Sequence, residues 1–202
     1  PAYHKLPEGW REGMNVVVIS VEALRPDHIH ALGYKRETTP NIDRLAAEGL
    51  RYTNFHVNPM CSPTRASLLT GLNHHLAGVG TVCHMEPGFP GYAASIRDDA
   101  VTMGEVLRDA GWSTLMVGKW HLGDDPRSQG FDLAIAGDKR GAPPSHLAPW
   151  KIPSLPEGEM GTVLADRLTD EAIRFIESSG DQPFFLYLSH YAVHTPVQAT
   201  KA

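Results

Sequence analysis

MNVVVISVE, residues 14–22, decides the fold. Its apolar residues, Val16 to Ile19 and then Val21, are almost all β-branched and run consecutively, which predicts a strand buried on both faces of a parallel sheet. Beyond Glu22 the chain alternates between helical and extended patterns. TPNIDRLAAEGL (39–50) sets Ile42, Leu45, Ala46 and Leu50 near helical spacing, with Asn41 as cap candidate behind Thr39 and Pro40 and a stop near Gly49. RYTNFHV (51–57) alternates and predicts a second strand, and CSPTRASLLTG (61–71) reads as a loop turning into a helix with Cys61 and Ser62 at its start. VTMGEVLRDAGW (101–112) carries a stripe of Val101, Val106, Leu107 and Ala110 closed by Gly111, and STLMVG (113–118) is another buried strand. The last pair is an amphipathic helix over 163–176, with Leu164, Leu168, Ala172, Phe175 and Ile176, and the strand FFLYLSH (184–190) opened by Pro183.

Strands separated by helices predict an α/β fold with a doubly wound, mainly parallel sheet flanked by helices, because parallel neighbours need a crossover. Ligands of such sheets bind beyond the carboxyl ends of the strands. Glu22, Lys119, His121 and His194 each stand just after a predicted strand and are selected together by that rule. Residues 1–13 form an N-terminal extension and 14–202 a single domain. Within it, 73–97 is a long loop rich in Gly, Pro and His, and 124–158, with six of the sixteen prolines, is a loop-rich insertion.

Composition narrows the function. The chain has 202 residues and a formal net charge of −5, with no basic stripe of the kind that binds nucleic acid, so any anion site is local. No apolar stretch approaches the roughly 20 residues needed to cross a bilayer, and the first residues have no apolar signal core. No nucleic-acid or membrane partner is expected, and the location is cytoplasmic, or periplasmic or secreted where a leader has been removed. Two cysteines, Cys61 and Cys83, do not make a disulfide framework.

A cysteine at a helix start sits where free backbone N–H groups and the helix dipole favour negative charge, and Arg65 lies one turn further on. Taken alone, this pair reads more readily as a buried cysteine near a surface arginine, and Lys119 and His121 as a solvated pair at a strand end. The wider string changes that reading. CSPTRASLLTG resembles the Cys-x-Pro-x-Arg signature of sulfatases, enzymes with an alkaline phosphatase-like fold. GKWHLG (118–123), HYAVHTP (190–196), TPNIDRLAAEGLRYTNFH (39–56) and HHLAGVG (74–80), the last especially like bacterial arylsulfatases, resemble further family segments in the family's order. The likeness spans about Asn15 to Gln198 and corresponds to the front portion of a whole sulfatase, so the C-terminal part of the fold is expected to be absent.

That resemblance implies a sulfuric ester hydrolase acting on a small-molecule sulfate ester. Cys61 would be oxidised to formylglycine by a formylglycine-generating enzyme. Arg65 and Lys119 would hold the nucleophile and the sulfate oxygens, His121 would assist the second hydroxyl, and His194 would protonate the leaving oxygen. It also implies a Ca²⁺ or Mg²⁺ ion held by the formylglycine at position 61 and by acidic residues after the first strand. Here that pair reads Glu22 and Ala23, and alanine cannot ligate. The alternatives are a phosphonate or phosphate ester hydrolase of the same superfamily, or a non-catalytic fragment, including one piece of an enzyme made whole by a complementing chain.

Overall fold

The computed structural model describes residues 14–85 and 87–200; the expected extension over 1–13 lies outside the described residues. The chain divides into two compact units, Ala23–Val57 and the remainder. In the larger unit, β1 (Val16–Val21), β2 (Ser113–Gly118), β3 (Leu133–Ile135) and β4 (Phe184–His190) form one sheet in the order β1-β4-β2-β3, with every neighbouring pair parallel. The doubly wound parallel architecture expected from the alternating pattern is present. β4 lies between β1 and β2, and its side chains through Ser189 are buried, as a run covered on both faces requires.

The faces separate by residue parity. Phe185 and Tyr187 of β4, with Met116 of β2, pack in a cluster containing Ala66 and Leu69 of α2 (Cys61–Thr70) and Leu107 of α3 (Met103–Asp109). Phe184, Leu186 and Leu188, with Leu115 and Val117, meet Leu164, Leu168 and Ala172 of α4 (Leu164–Ser179) on the other face. The spacing of those α4 residues places them on one stripe. α3 begins with a reciprocal cap, in which Glu105 N donates to Thr102 Oγ1 and Thr102 N donates to the Glu105 carboxylate.

Four expectations change. β1 is covered on one face only: Val16 and Val18 pack against the core, while Ile19 is 59% exposed on the other face. It is an edge strand of the described sheet, so its apolar composition outruns its cover. Residues 51–57 form no strand and are exposed throughout, because a period-two pattern becomes a strand only when a partner pairs with it. Conversely, β3 lies in the proline-rich 124–158 stretch, where three residues are too few to show a period. In the smaller unit, the cap of α1 (Pro40–Glu48) is Thr39 rather than Asn41, with Pro40 at the first helical position where its missing N–H costs nothing. No described helix is long and apolar enough to cross a membrane.

Parallel pairing brings the strand ends to one edge. Gly118 is level with Ser189 and Val21 with His190, and Lys119 N continues the ladder by donating to Ser189 O at 2.7 Å. Glu22 N donates to Ala192 O at 2.8 Å. The first residues past β1 and β2 thus flank the end of β4. Gly118 makes the turn possible: its φ is +100°, and a Cβ there would lie 2.0 Å from Ser189 O. Gly118→Ala is expected to lower the unfolding free energy by about 3 kcal/mol or more, read as a lower urea midpoint.

Candidate functional site

α2 starts at Cys61 behind Met60, a residue whose side chain offers no cap, so the first N–H groups of the helix are left for another acceptor. One turn on, Arg65 points into the protein and is only 3% exposed. Its Nη1 donates to Lys119 O at 2.7 Å, to Ser189 Oγ at 2.5 Å and to Tyr187 Oη at 3.1 Å, while Nη2 donates to the Glu22 carboxylate. Lys119, fully buried, brings Nζ to 3.2 Å from the same Glu22 oxygen. One carboxylate therefore faces two cations.

The charge count decides the electrostatics. Burial by itself raises the Glu22 carboxyl, yet Arg65 and Lys119 overturn that and hold it below the usual carboxylate range. Burial also pulls the Lys119 ammonium down, and Arg65 adds to this against the opposing pull of Glu22. One carboxylate thus stands against two positive groups. Arg65 Nε and His121 Nε2 are buried without a hydrogen-bond partner among the described residues, and the buried Lys119 ammonium, with three N–H groups, has the Glu22 carboxylate at 3.2 Å. A locally positive site with unused donors is suited to an oxyanion.

His121 is fixed from several sides. Its backbone takes φ +58°, and its N–H donates to Asp138 O at 2.9 Å. Its carbonyl accepts from Ser62 Oγ and from the Cys83 thiol, both at 2.9 Å. The ring stacks on His84 with centroids 5.9 Å apart, and a Cβ on Gly141 would come within 2.5 Å of it. So held, His121 Nδ1 lies 3.2 Å from Cys61 Sγ. Burial, then Lys119 and Arg65, push the imidazole down to about 4, so the ring is neutral at ordinary pH.

Glu22, Cys61, Arg65, Lys119 and His121, chosen from sequence, are thus joined in one hydrogen-bonded and ion-paired cluster. His194 is not joined to it. It follows β4 at the same edge of the sheet, but its ring contacts Thr195 O and Oγ1, each at 3.1 Å. Sequence reasoning missed Tyr187 and Ser189, whose signal was present: they are polar residues two apart, on one face of an otherwise apolar strand. It also missed Ser62, Cys83 and His84, which long-range packing brings to His121 and no local pattern marks.

The Sulfatase family model matches residues 14–202. The chain is 33% identical to an uncharacterised sulfatase of Schizosaccharomyces pombe over 93% of its length and 39% of that protein's. It is 31% identical to the arylsulfatase of Klebsiella aerogenes over 94% and 45% of the two lengths, and 31% identical to human N-acetylgalactosamine-6-sulfatase over 93% and 41%. The chain therefore spans less than half the length of these relatives. Among solved structures, Ps i-CgsB in complex with k-i-k-neocarrahexaose superposes with a TM-score of 0.73 at 26% identity, covering 92% of this chain and 46% of that one. BT4656 in complex with its substrate D-glucosamine-2-N,6-O-disulfate superposes with a TM-score of 0.68 at 27% identity, covering 90% and 35%. The C-terminal part of the shared fold is absent from this chain.

Removing the single counter-charge leaves two buried cations unpaired, so Glu22→Gln is expected to destabilise the protein by about 3 kcal/mol in urea unfolding. His121 adds a pH dependence. Its pKa is ordinary, 6.5, when unfolded and about 4 when folded, so the unfolded chain binds this proton at higher pH. Stability from the neutral ring is complete above pH 6.5 and is lost as pH falls toward 4. Urea midpoints across that range should fall in the parent protein and less so in His121→Asn.

Proposed function

Because the chain belongs to the sulfatase family, we propose that the protein of which it is part hydrolyses sulfate monoesters, with the side chain at position 61 as nucleophile. The observation that carries this reading is the 3.2 Å approach of His121 to Cys61 at the start of α2, beside the uncompensated Arg65–Lys119 charge. Conversion of Cys61 to formylglycine supplies an aldehyde hydrate in place of the thiol. One hydrate oxygen bonds to sulfur as the ester's alcohol leaves; the other then loses its proton, the aldehyde carbonyl reforms, and sulfate departs.

The chain's own groups suit these steps. The N–H groups at the start of α2 and the Lys119 ammonium offer donors to sulfate oxygens, and Arg65 adds positive charge from beneath. Neutral His121 is in the form that accepts a proton, and its Nδ1 lies within reach of an atom carried on the Cβ of residue 61. His194 is assigned the proton for the leaving alcohol, which requires its ring to turn from Thr195.

The residues present do not fit the family's Ca²⁺ or Mg²⁺. Glu22 is the one carboxylate at the cluster, its charge is already taken by Arg65 and Lys119, and Ala23 brings no donor. Among the described residues no three His, Cys, Asp or Glu side chains gather as a metal site. A hard divalent cation takes six or more oxygen ligands, so the donors would have to come from outside 14–200.

Two measurements test the proposal. Coexpression with a formylglycine-generating enzyme should make the peptide bearing position 61 about 18 Da lighter as the thiol becomes an aldehyde. An unmodified thiol under those conditions would remove the proposed nucleophile. The full-length enzyme should hydrolyse an aryl sulfate faster than the matching aryl phosphate, and Cys61→Ala should abolish turnover; a phosphatase preference would favour the sister chemistry.

A further inference from the structure

His194, the proposed donor to the leaving alcohol, is gripped by a segment from outside the Cys61–His121 cluster. On one side the end of the sheet fixes its backbone: its N–H donates to Tyr191 O at 3.0 Å, and Val193 N donates to Glu22 O at 2.6 Å. On the other side stand Ser145 and His146, from the proline-rich stretch 124–158. His146 Nε2 lies 2.8 Å from His194 O. A carbonyl oxygen only accepts, so Nε2 carries a proton and donates it. Four residues on, Gln198 Oε1 accepts from His146 N at 2.6 Å and from Ser145 Oγ at 3.2 Å.

The gripping segment is itself anchored. His146 O accepts from Leu164 N at 2.8 Å, one of the first-turn N–H groups of α4 that have no partner inside the helix. Leu147 and Val163 form an antiparallel bridge, and Ala148 N donates to Thr162 O at 2.9 Å. Just beyond, Ala148, Trp150 and Ile152 are buried with Leu164 and Leu168 in the apolar layer on the α4 face of the sheet. His146 thus uses its N–H, its carbonyl and its ring together, linking α4 to the residues after β4. Among the described residues it has no bond to Cys61, Arg65, Lys119 or His121, so any effect it has on the chemistry passes through His194.

We propose that His146 is a positioning residue for His194: its bond to the His194 carbonyl, with the clasp on Gln198, fixes the backbone, so that rotation of the imidazole alone brings the ring from Thr195 to the leaving oxygen. The inference rests on the sulfatase reading for the role of His194. In that step the His194 imidazolium gives its proton to the ester oxygen as the S–O bond breaks, so the alcohol and the ring are both left neutral. Proton donation requires heavy atoms within about 3.2 Å, and a donor misplaced by about 1 Å lowers a rate by on the order of a hundredfold. A fixed backbone carrying a free ring meets that requirement and still lets the ester enter.

The test uses the full-length enzyme with phenyl sulfate and 4-nitrophenyl sulfate, because the more basic phenolate needs the proton more. His146→Ala should lower kcat/KM about tenfold more for phenyl than for 4-nitrophenyl sulfate, and His146→Gln, whose side-chain N–H can reach the same carbonyl, should restore the ratio. Adding His146→Ala to His194→Ala should bring no further loss, since the first acts only through the second. Equal losses on both esters, or a further loss in the double variant, overturn the inference. Gln198 is exposed, so Gln198→Ala should fold even if His146→Ala does not, and an unchanged ratio there overturns it too. Amide hydrogen exchange at 194–198 in the Cys61→Ala protein needs no turnover: it should quicken on adding His146→Ala and recover with His146→Gln. Unchanged exchange overturns the grip whatever the enzyme hydrolyses. A parent enzyme that cleaves neither ester while exchange still responds sinks the sulfatase reading and leaves the grip standing.

Discussion

The Arg65 guanidinium is buried where α2 meets the end of the sheet, and its N–H groups reach Lys119 O, Tyr187, Ser189 and Glu22. These partners come from the turn after β2, the central strand β4 and the end of β1. One planar group with several fixed donors therefore ties together elements that are far apart in sequence. A lysine would bring charge but not that fork. Because the contacts are out of water, each lost partner leaves a buried donor or charge unsatisfied, which makes this junction less tolerant of change than the apolar layers around it.

The same junction is incompletely neutralised. Glu22 faces two cations, and burial, with Arg65 adding to it and Glu22 opposing, lowers the Lys119 pKa. A fold selected for stability alone would add a second carboxylate or replace the lysine with an apolar side chain. Unused buried donors instead resemble the cost that binding sites carry for being ready for a ligand. Here the ligand that fits is an oxyanion, since the electrostatic deficit and the orphan N–H groups have the same remedy.

Precision at His121 comes from several weak constraints acting together. A left-handed backbone conformation, a hydrogen bond to Asp138 O, two donors on its carbonyl and contacts on its ring leave little freedom for Nδ1. The Cys83 thiol, whose pKa burial raises, serves here as a neutral donor. The segment that carries it also walls a neighbouring cavity.

The amino-acid sequence by itself determined the α/β order and the limits of the strands 113–118 and 184–190, and it singled out five residues that the fold gathers in one cluster. Buried strands and amphipathic helices are written in local periodicity, and strand ends in a parallel sheet share an edge, which selects Glu22, Lys119 and His121; Cys61 and Arg65 came from the resemblance of CSPTRASLLTG to a family motif. Only the tertiary structure decided which periodic segments found partners. Residues 51–57 alternate yet pair with nothing, β3 is too short to show a period, and β1 keeps one apolar face open. It also decided what Glu22 does, since a carboxylate's partner is whichever charge folding places beside it. Arg65 and Lys119 come from 43 and 97 residues away along the chain, a proximity that no local pattern encodes.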